Sequence, residues 1–226
     1  MAEEFMNDDD QAEALKRWWR ENWIWMLAGI ILGLGLLFGW QYYQRYVAQR
    51  AEAAGAMLNQ FAAALVTDKA KAGKLLSDLT SKYKTTPYAA QAQLLQAQQA
   101  VESGDLLAAE AALRAVVADS KDEYLAHVAT LRLARVLIEL TKSDEALALL
   151  DLDKAGAFLA QTHEIRGDAL VAKQDQSGAV SEYQSALTEY RSVPGADVSL
   201  LELKLADLSG SSAPASTDVT ATTSSK

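Results

Sequence analysis

The sequence predicts an all-α protein: a single N-terminal transmembrane helix followed by an α-solenoid of stacked helical hairpins. Three observations predict it. An uncharged run of bilayer length, NWIWMLAGIILGLGLLFGWQYY, occupies Asn22 to Tyr43. The segment behind it repeats a pattern of small residues at offsets of 37 and then 33 positions. Half of all residues are hydrophobic, Ala and Leu dominate and only three prolines occur, a mixture that favours helices over strands.

The N-terminal segment, residues 1–21, reads as a cytoplasmic amphipathic element. In NDDDQAEALKRWWREN, Asp10 is placed to cap a helix, with Glu13 at the third helical position closing a capping box. Ala14, Leu15, Trp18 and Trp19 then form an apolar stripe beside Lys16, Arg17 and Arg20, the pattern of a helix lying in a membrane interface. Residues 22–46 follow as the transmembrane helix. A hydrocarbon core of roughly 30 Å needs about 20 apolar residues in a helix, and this run supplies them. Trp18, Trp19, Trp23 and Trp25 gather at one end; Trp40, Tyr42, Tyr43 and Tyr46 gather at the other, as interfacial belts do. A cleaved signal peptide has a shorter core and a small-residue exit, whereas this run ends in Phe38-Gly39-Trp40-Gln41-Tyr42-Tyr43. Membrane lipid is therefore its surroundings.

Lys16, Arg17 and Arg20 precede the span, and Arg45 and Arg50 follow it. Three basic residues against two favour a cytoplasmic N-terminus. Inside the span, Gly29 and Gly33 make one small-xxx-small pair, and Gly35 and Gly39 another. At ~100° per residue the two pairs point ~120° apart. Such glycines permit close helix–helix approach in a bilayer, although glycine is also common in membrane helices generally.

Residues 47–208 carry the repeat. Ala97, Ala134 and Gly167 share one position, Ala109, Ala146 and Ala179 a second, and Leu113, Leu150 and Tyr183 a third. A fainter upstream copy places Gln60, Ala72 and Leu76 in register, and turn signals recur as ESGD, TKSD and KQDQSG. Two helices per unit at this period mark a solenoid. The small residues let the helices of a hairpin approach, and the bulky residue one turn later fills the layer between hairpins. VSLLELKLADL supplies a cap through Leu201, Leu205 and Leu208, and Pro87 is placed to open a helix. The hairpins are thus tetratricopeptide-like. Residues 209–226, rich in Ser and Thr, are expected to be disordered.

Composition excludes several functions. A formal charge of −9 opposes nucleic-acid binding, and the absence of cysteine removes disulfides and thiolate metal sites. His127 and His163 fall in different helices without metal-ligand spacing, and no nucleophile elbow, zinc helix or phosphate loop is present. No catalytic residue, cofactor site or metal site is expected, and the chain is not read as an enzyme.

The order DQAEALKRWWREN, then GIILGLGLLFGWQYY, then LRLARVLIEL and RGDALVAKQDQSGA resembles the YfgM-like family of ancillary SecYEG translocon subunits. The resemblance implies a bacterial inner-membrane protein with a periplasmic tetratricopeptide-like domain, associated with the SecYEG translocon and with the periplasmic chaperone PpiD. The corresponding function is an interaction module that assists chaperone contacts with newly translocated proteins. A membrane-tethered scaffold for another envelope or cytoplasmic assembly is the alternative. A partner groove is expected along the first helix of each hairpin. Carrying the register through, it is lined by Met57 and Phe61, then Leu94 and Gln98, then Val128, Leu131, Arg135 and Ile138, and finally Glu164, Asp168 and Val171. Several of these positions also serve to pack the hairpins together.

Overall fold

The computed structural model of the chain describes the backbone of residues 2–211 and the side chains of residues 12–210. The remainder of the expected tail, from Ser212, lies outside the described residues. The chain divides into two compact units, residues 1–53 and 54–226. All regular structure among the described residues is helical.

From Ala2 onward the first unit is helical, as part of α1 (Ala2–Thr67). The helix passes through Asp10 without a break, so Asp10 is not its N-cap. The reason is local: no proline or glycine occurs before Gly29 to end a helix ahead of the apolar run. Asn22 to Tyr43 rises ~33 Å at ~1.5 Å per residue, matching a bilayer core. Trp25, Leu36, Leu37, Phe38 and Tyr42 are each about two-thirds exposed or more. A water-soluble surface does not carry so much contiguous apolar area. Among the described residues this is the one helix apolar and long enough to cross a membrane.

The second unit is built from hairpins. The end of α1 pairs with α2 (Lys69–Lys82); α3 (Pro87–Glu102) pairs with α4 (Leu106–Asp119). α5 (Glu123–Glu139) pairs with α6 (Ser143–Leu149), and α7 (Leu159–Ala172) with α8 (Gln176–Arg191). α9 (Ser199–Ser211) packs on α8 through Leu201, Leu205 and Leu208. It extends to Ser211, slightly past the expected boundary at Leu208.

The small-residue register is what packs these hairpins. Ala97, Ala134, Gly167, Ala109, Ala146 and Ala179 are all buried, as are Leu113, Leu150 and Tyr183. The turns repeat as faithfully. Each joins its helices with three residues, and the middle one has a positive φ: Gly104 at 77°, Thr141 at 60° and Gln174 at 63°. The following amide reaches back to the helix end in each case, Asp105 to the Ala100 carbonyl, Lys142 to Leu137 and Asp175 to Leu170, at 2.8–2.9 Å. This is the 6→1 bond of a Schellman ending. Asp105 and Asp175 then cap the next helix through the amides of Ala108 and Gly178. Lys142 cannot cap in this way and instead sends its ammonium to Glu110 on α4, 2.8 Å away.

Two further expectations need correction. Gln60, placed in the upstream copy, is exposed. Phe61 takes the core instead, because α1 and α2 are joined by Asp68 alone rather than by three residues. The shorter link shifts the register. The second concerns Leu150, which is buried but lies beyond the end of α6 rather than within a full-length helix. Two short 3₁₀ turns, Leu152–Lys154 and Gly156–Phe158, replace the missing helix. Arg166 donates to the Leu150 carbonyl left free there, at 3.1 Å.

Candidate partner groove

α3 and α5 lie side by side as the first helices of successive hairpins, and between them is a groove of about 490 Å³. Its floor is apolar: Leu94, Ala97 and Val101 from α3, Leu113 from α4 and Val136 from α5. Gln98 and Glu102 form one wall, joined by a hydrogen bond of 2.9 Å from the Gln98 amide to the Glu102 carboxylate. Arg132 and Arg135 form the other, both exposed. Their spacing of three residues puts them on one helical face, ~5–6 Å apart at Cβ.

The expected groove residues do not all come together. Leu94, Gln98 and Arg135 come together here. Met57 and Phe61 belong to the first hairpin's core, with Phe61 only 1% exposed against Ala64, Ala72 and Leu79. Phe61 offers no surface to a partner. Leu131 is buried and faces a separate depression with His127, Thr130 and Thr162, while Ile138 packs half-buried on the main core. Val128 is half-buried and Val171 is exposed at the end of α7.

Glu164 and Asp168 are engaged from within the chain. Lys204 on α9 reaches both, at 2.9 and 2.7 Å. The Tyr183 hydroxyl donates to Asp168 at 2.7 Å and the Tyr190 hydroxyl to Glu164 at 3.1 Å. Burial, with these carboxylates nearby, pushes the Tyr190 phenol up to about 12 and the Tyr183 phenol higher still. Burial alone pulls the Lys204 ammonium down, but its hydrogen bonds to Asp168 and Glu164 outweigh that and the net shift is upward. The expected acidic end of the groove is therefore the docking point of the capping helix. The signal for Lys204 was in the register. Gln98, Arg135 and Asp168 are spaced by 37 and 33, and Lys204 falls 36 further on. Arg132 was missed because the register was followed along one line of α5, whereas the groove wall is a full turn long.

Ion pairs along α4 and α6 and at the turn after α7 tie neighbouring hairpins together. Arg114 holds Glu110 at 2.9 Å and reaches Glu145 on α6 at 2.6 Å, and Lys173 pairs with Asp144. Hydrogen bonds from Lys142 and then Arg114 hold the Glu110 carboxyl below its ordinary range. Within α7 and α8, Glu182 accepts from Arg166 at 2.8 Å and meets His163 at 2.7 Å. His127 stacks on Phe158 at 4.8 Å. Both histidines thus have packing or pairing roles, and no cluster of metal-ligating side chains occurs among the described residues. In the first unit, a Cβ added at Gly29, Gly33, Gly35 or Gly39 meets nothing within 4 Å.

A tetratricopeptide repeat-like domain family matches residues 16–210. An ancillary SecYEG translocon subunit of Escherichia coli (strain K12) is 34% identical over 205 residues, which is 91% of this chain and 98% of that protein. The chain belongs to the YfgM-like family of ancillary SecYEG translocon subunits. Family members of the same name from Haemophilus influenzae and Neisseria gonorrhoeae are 32% and 29% identical, covering 80% and 90% of this chain and 89% and 98% of their own length. No solved structure matches it. The family match spans both the apolar helix and the hairpins, so the two units belong to one design rather than to a chance fusion.

Proposed function

We propose that this chain is a membrane-anchored interaction module ancillary to the SecYEG translocon. It crosses the bacterial inner membrane once, with its N-terminus in the cytoplasm and its hairpin domain in the periplasm. There the groove between α3 and α5 receives partner segments, among them parts of the chaperone PpiD, and so assists contacts with newly translocated proteins. The observation that carries this reading is a groove-bearing repeat domain behind an apolar helix of bilayer length, in a chain that aligns along nearly its whole length with proteins of that name. The charge count flanking the span supports the orientation.

Two measurements test it. Protease added to spheroplasts should digest the hairpin domain; full protection with an intact membrane removes the periplasmic placement. A photo-crosslinking residue at Gln98, on the exposed wall of the groove, should yield adducts with SecYEG or PpiD in living cells. Adducts from the turn after α7, for instance from Lys173, and none from Gln98 would put recognition elsewhere.

A further inference from the structure

The groove between α3 and α5 has an electrostatic character opposite to that of the domain around it. Residues 47–208 hold 16 basic and 22 acidic side chains, a net of −6. Among the described residues from 54 onward, Arg114, Arg166 and Arg191 each hold at least one carboxylate. Arg132 and Arg135 hold none, and both stand over the apolar floor formed by Leu94, Val101 and Val136. The nearest groove carboxylate, Glu102, is bonded to Gln98 instead.

We infer that this groove binds a segment of a partner protein carrying two side-chain carboxylates beside apolar residues, the carboxylates set about one helical turn apart to meet Arg132 and Arg135. The inference rests on the groove being the partner-binding surface. Guanidinium groups present a planar fork suited to carboxylates, and they are weakly hydrated, so pairing beside an apolar floor costs them less than it costs lysine. The overall negative charge does not cancel this local attraction. At physiological ionic strength, fields are screened over about 8 Å, so an acidic segment seated in the groove feels the two guanidiniums and the one wall carboxylate, Glu102, more than the distant carboxylates. The segment 212–226 of this chain is a poor occupant, having Asp218 as its single acidic side chain.

The test uses the full-length protein in detergent micelles and fluorescence anisotropy of a labelled peptide of leucine, alanine and serine with two glutamates four positions apart. Its Glu→Gln counterpart is the control for apolar and micelle binding. The glutamate peptide should bind about tenfold more tightly than the glutamine peptide, the scale expected of charge-assisted pairs. That advantage should shrink as ionic strength rises from about 0.05 to about 0.3 M. Replacing both arginines, Arg132→Gln with Arg135→Gln, should bring the glutamate peptide to the level of the glutamine peptide and leave the latter unchanged. Both side chains are exposed, so far-UV circular dichroism should report an intact fold. Equal binding of the two peptides to the wild type overturns the inference, as does a double variant that keeps the full preference. Co-purification with SecYEG separates the layers. If it persists while the peptide preference is absent, the carboxylate chemistry falls and the interaction-module reading stands. If the wild type fails to co-purify, that broader reading falls as well.

Discussion

Gly167 and Tyr183 offer the sharpest test of how the hairpins pack. The other hairpins solve the same contact with alanine against leucine, Ala97 with Leu113 and Ala134 with Leu150. In the α7–α8 hairpin the smaller residue has become glycine and the larger one tyrosine. A Cβ at position 167 would come within 3.1 Å of the Tyr183 Cζ and closer still to Cδ1 and Cε1. Tyr183 is only 3% exposed and its hydroxyl is tied to Asp168, so the ring cannot swing aside. It would have to retreat by about 1 Å, losing much of that hydrogen bond. Overpacking of this kind costs ~1–3 kcal/mol, and the weakened hydrogen bond adds ~1 kcal/mol. Against them, replacing a mid-helix glycine by alanine gains ~1 kcal/mol. Gly167→Ala should therefore destabilise by about 2 kcal/mol.

Combining Gly167→Ala with Tyr183→Leu recreates the alanine–leucine pair of the other hairpins. In the Tyr183→Leu background the alanine should be neutral or favourable by up to ~1 kcal/mol, giving a coupling energy of ~2–3 kcal/mol between contacting sites. The measurement is urea unfolding of the full-length protein in detergent, followed by far-UV circular dichroism. Tryptophan fluorescence does not serve, since all five tryptophans lie between Trp18 and Trp40, in the first unit. A neutral or stabilising Gly167→Ala in the wild-type background, or additivity in the double variant, would refute the close-approach argument.

Thr141 holds φ at 60° where the equivalent turn residue is Gly104. A left-handed conformation costs a side-chain-bearing residue ~1–2 kcal/mol, against ~0.5–1 kcal/mol of extra unfolded-state entropy for glycine. Thr141→Gly should stabilise the fold by about 0.5–1 kcal/mol, seen as a higher unfolding midpoint; a loss of stability would mean the turn is not strained. Glu110 is held below its ordinary value of 4.5 by Lys142 and Arg114. A depressed folded value stabilises above the unfolded one, so the contribution is present above about pH 4.5 and disappears as pH falls through the folded value. The gap in melting temperature between wild type and Glu110→Gln should accordingly close below about pH 4.5, and a pH-independent gap contradicts the pairing. Gly29 and Gly33, or Gly35 and Gly39, have open space around them in the isolated chain. Isoleucine at either pair should weaken co-purification with the translocon while leaving the hairpin domain folded. If both pairs tolerate it, the span is a tether alone.

The acidic end of the expected groove shows how a capping helix alters a solenoid surface. Glu164 and Asp168 occupy first-helix positions equivalent to Leu131 and Arg135, yet Lys204 neutralises both from α9. Removing only Lys204 would leave the Glu164 and Asp168 carboxylates without the ammonium that pairs them, the costly way to break such a network. The open surface is thereby limited to the earlier hairpins.

Sequence alone determined the membrane span, the all-helical class and the hairpin register from Ala97 onward. Those follow from one-dimensional quantities: the length of an uncharged run, the spacing of small residues and the recurrence of turns. A bilayer core has a fixed thickness, and a helical hairpin has a fixed closest approach, so each writes itself into residue spacing. Tertiary structure decided the rest. The one-residue link at Asp68 moved Phe61 into the core, which periodicity could not register because a change in loop length resets the helix phase. The early end of α6 became visible through Arg166 and the free carbonyl of Leu150, a contact between residues 16 positions apart. Whether a charged side chain is spent depends on its neighbours in space. Glu164 and Asp168 were taken by Lys204 from 40 and 36 residues away, while Arg132 and Arg135 were left with none. Charge pairing acts over a few ångströms in three dimensions, so the spacing that put Lys204 in register could not by itself say which cations remain open to a partner.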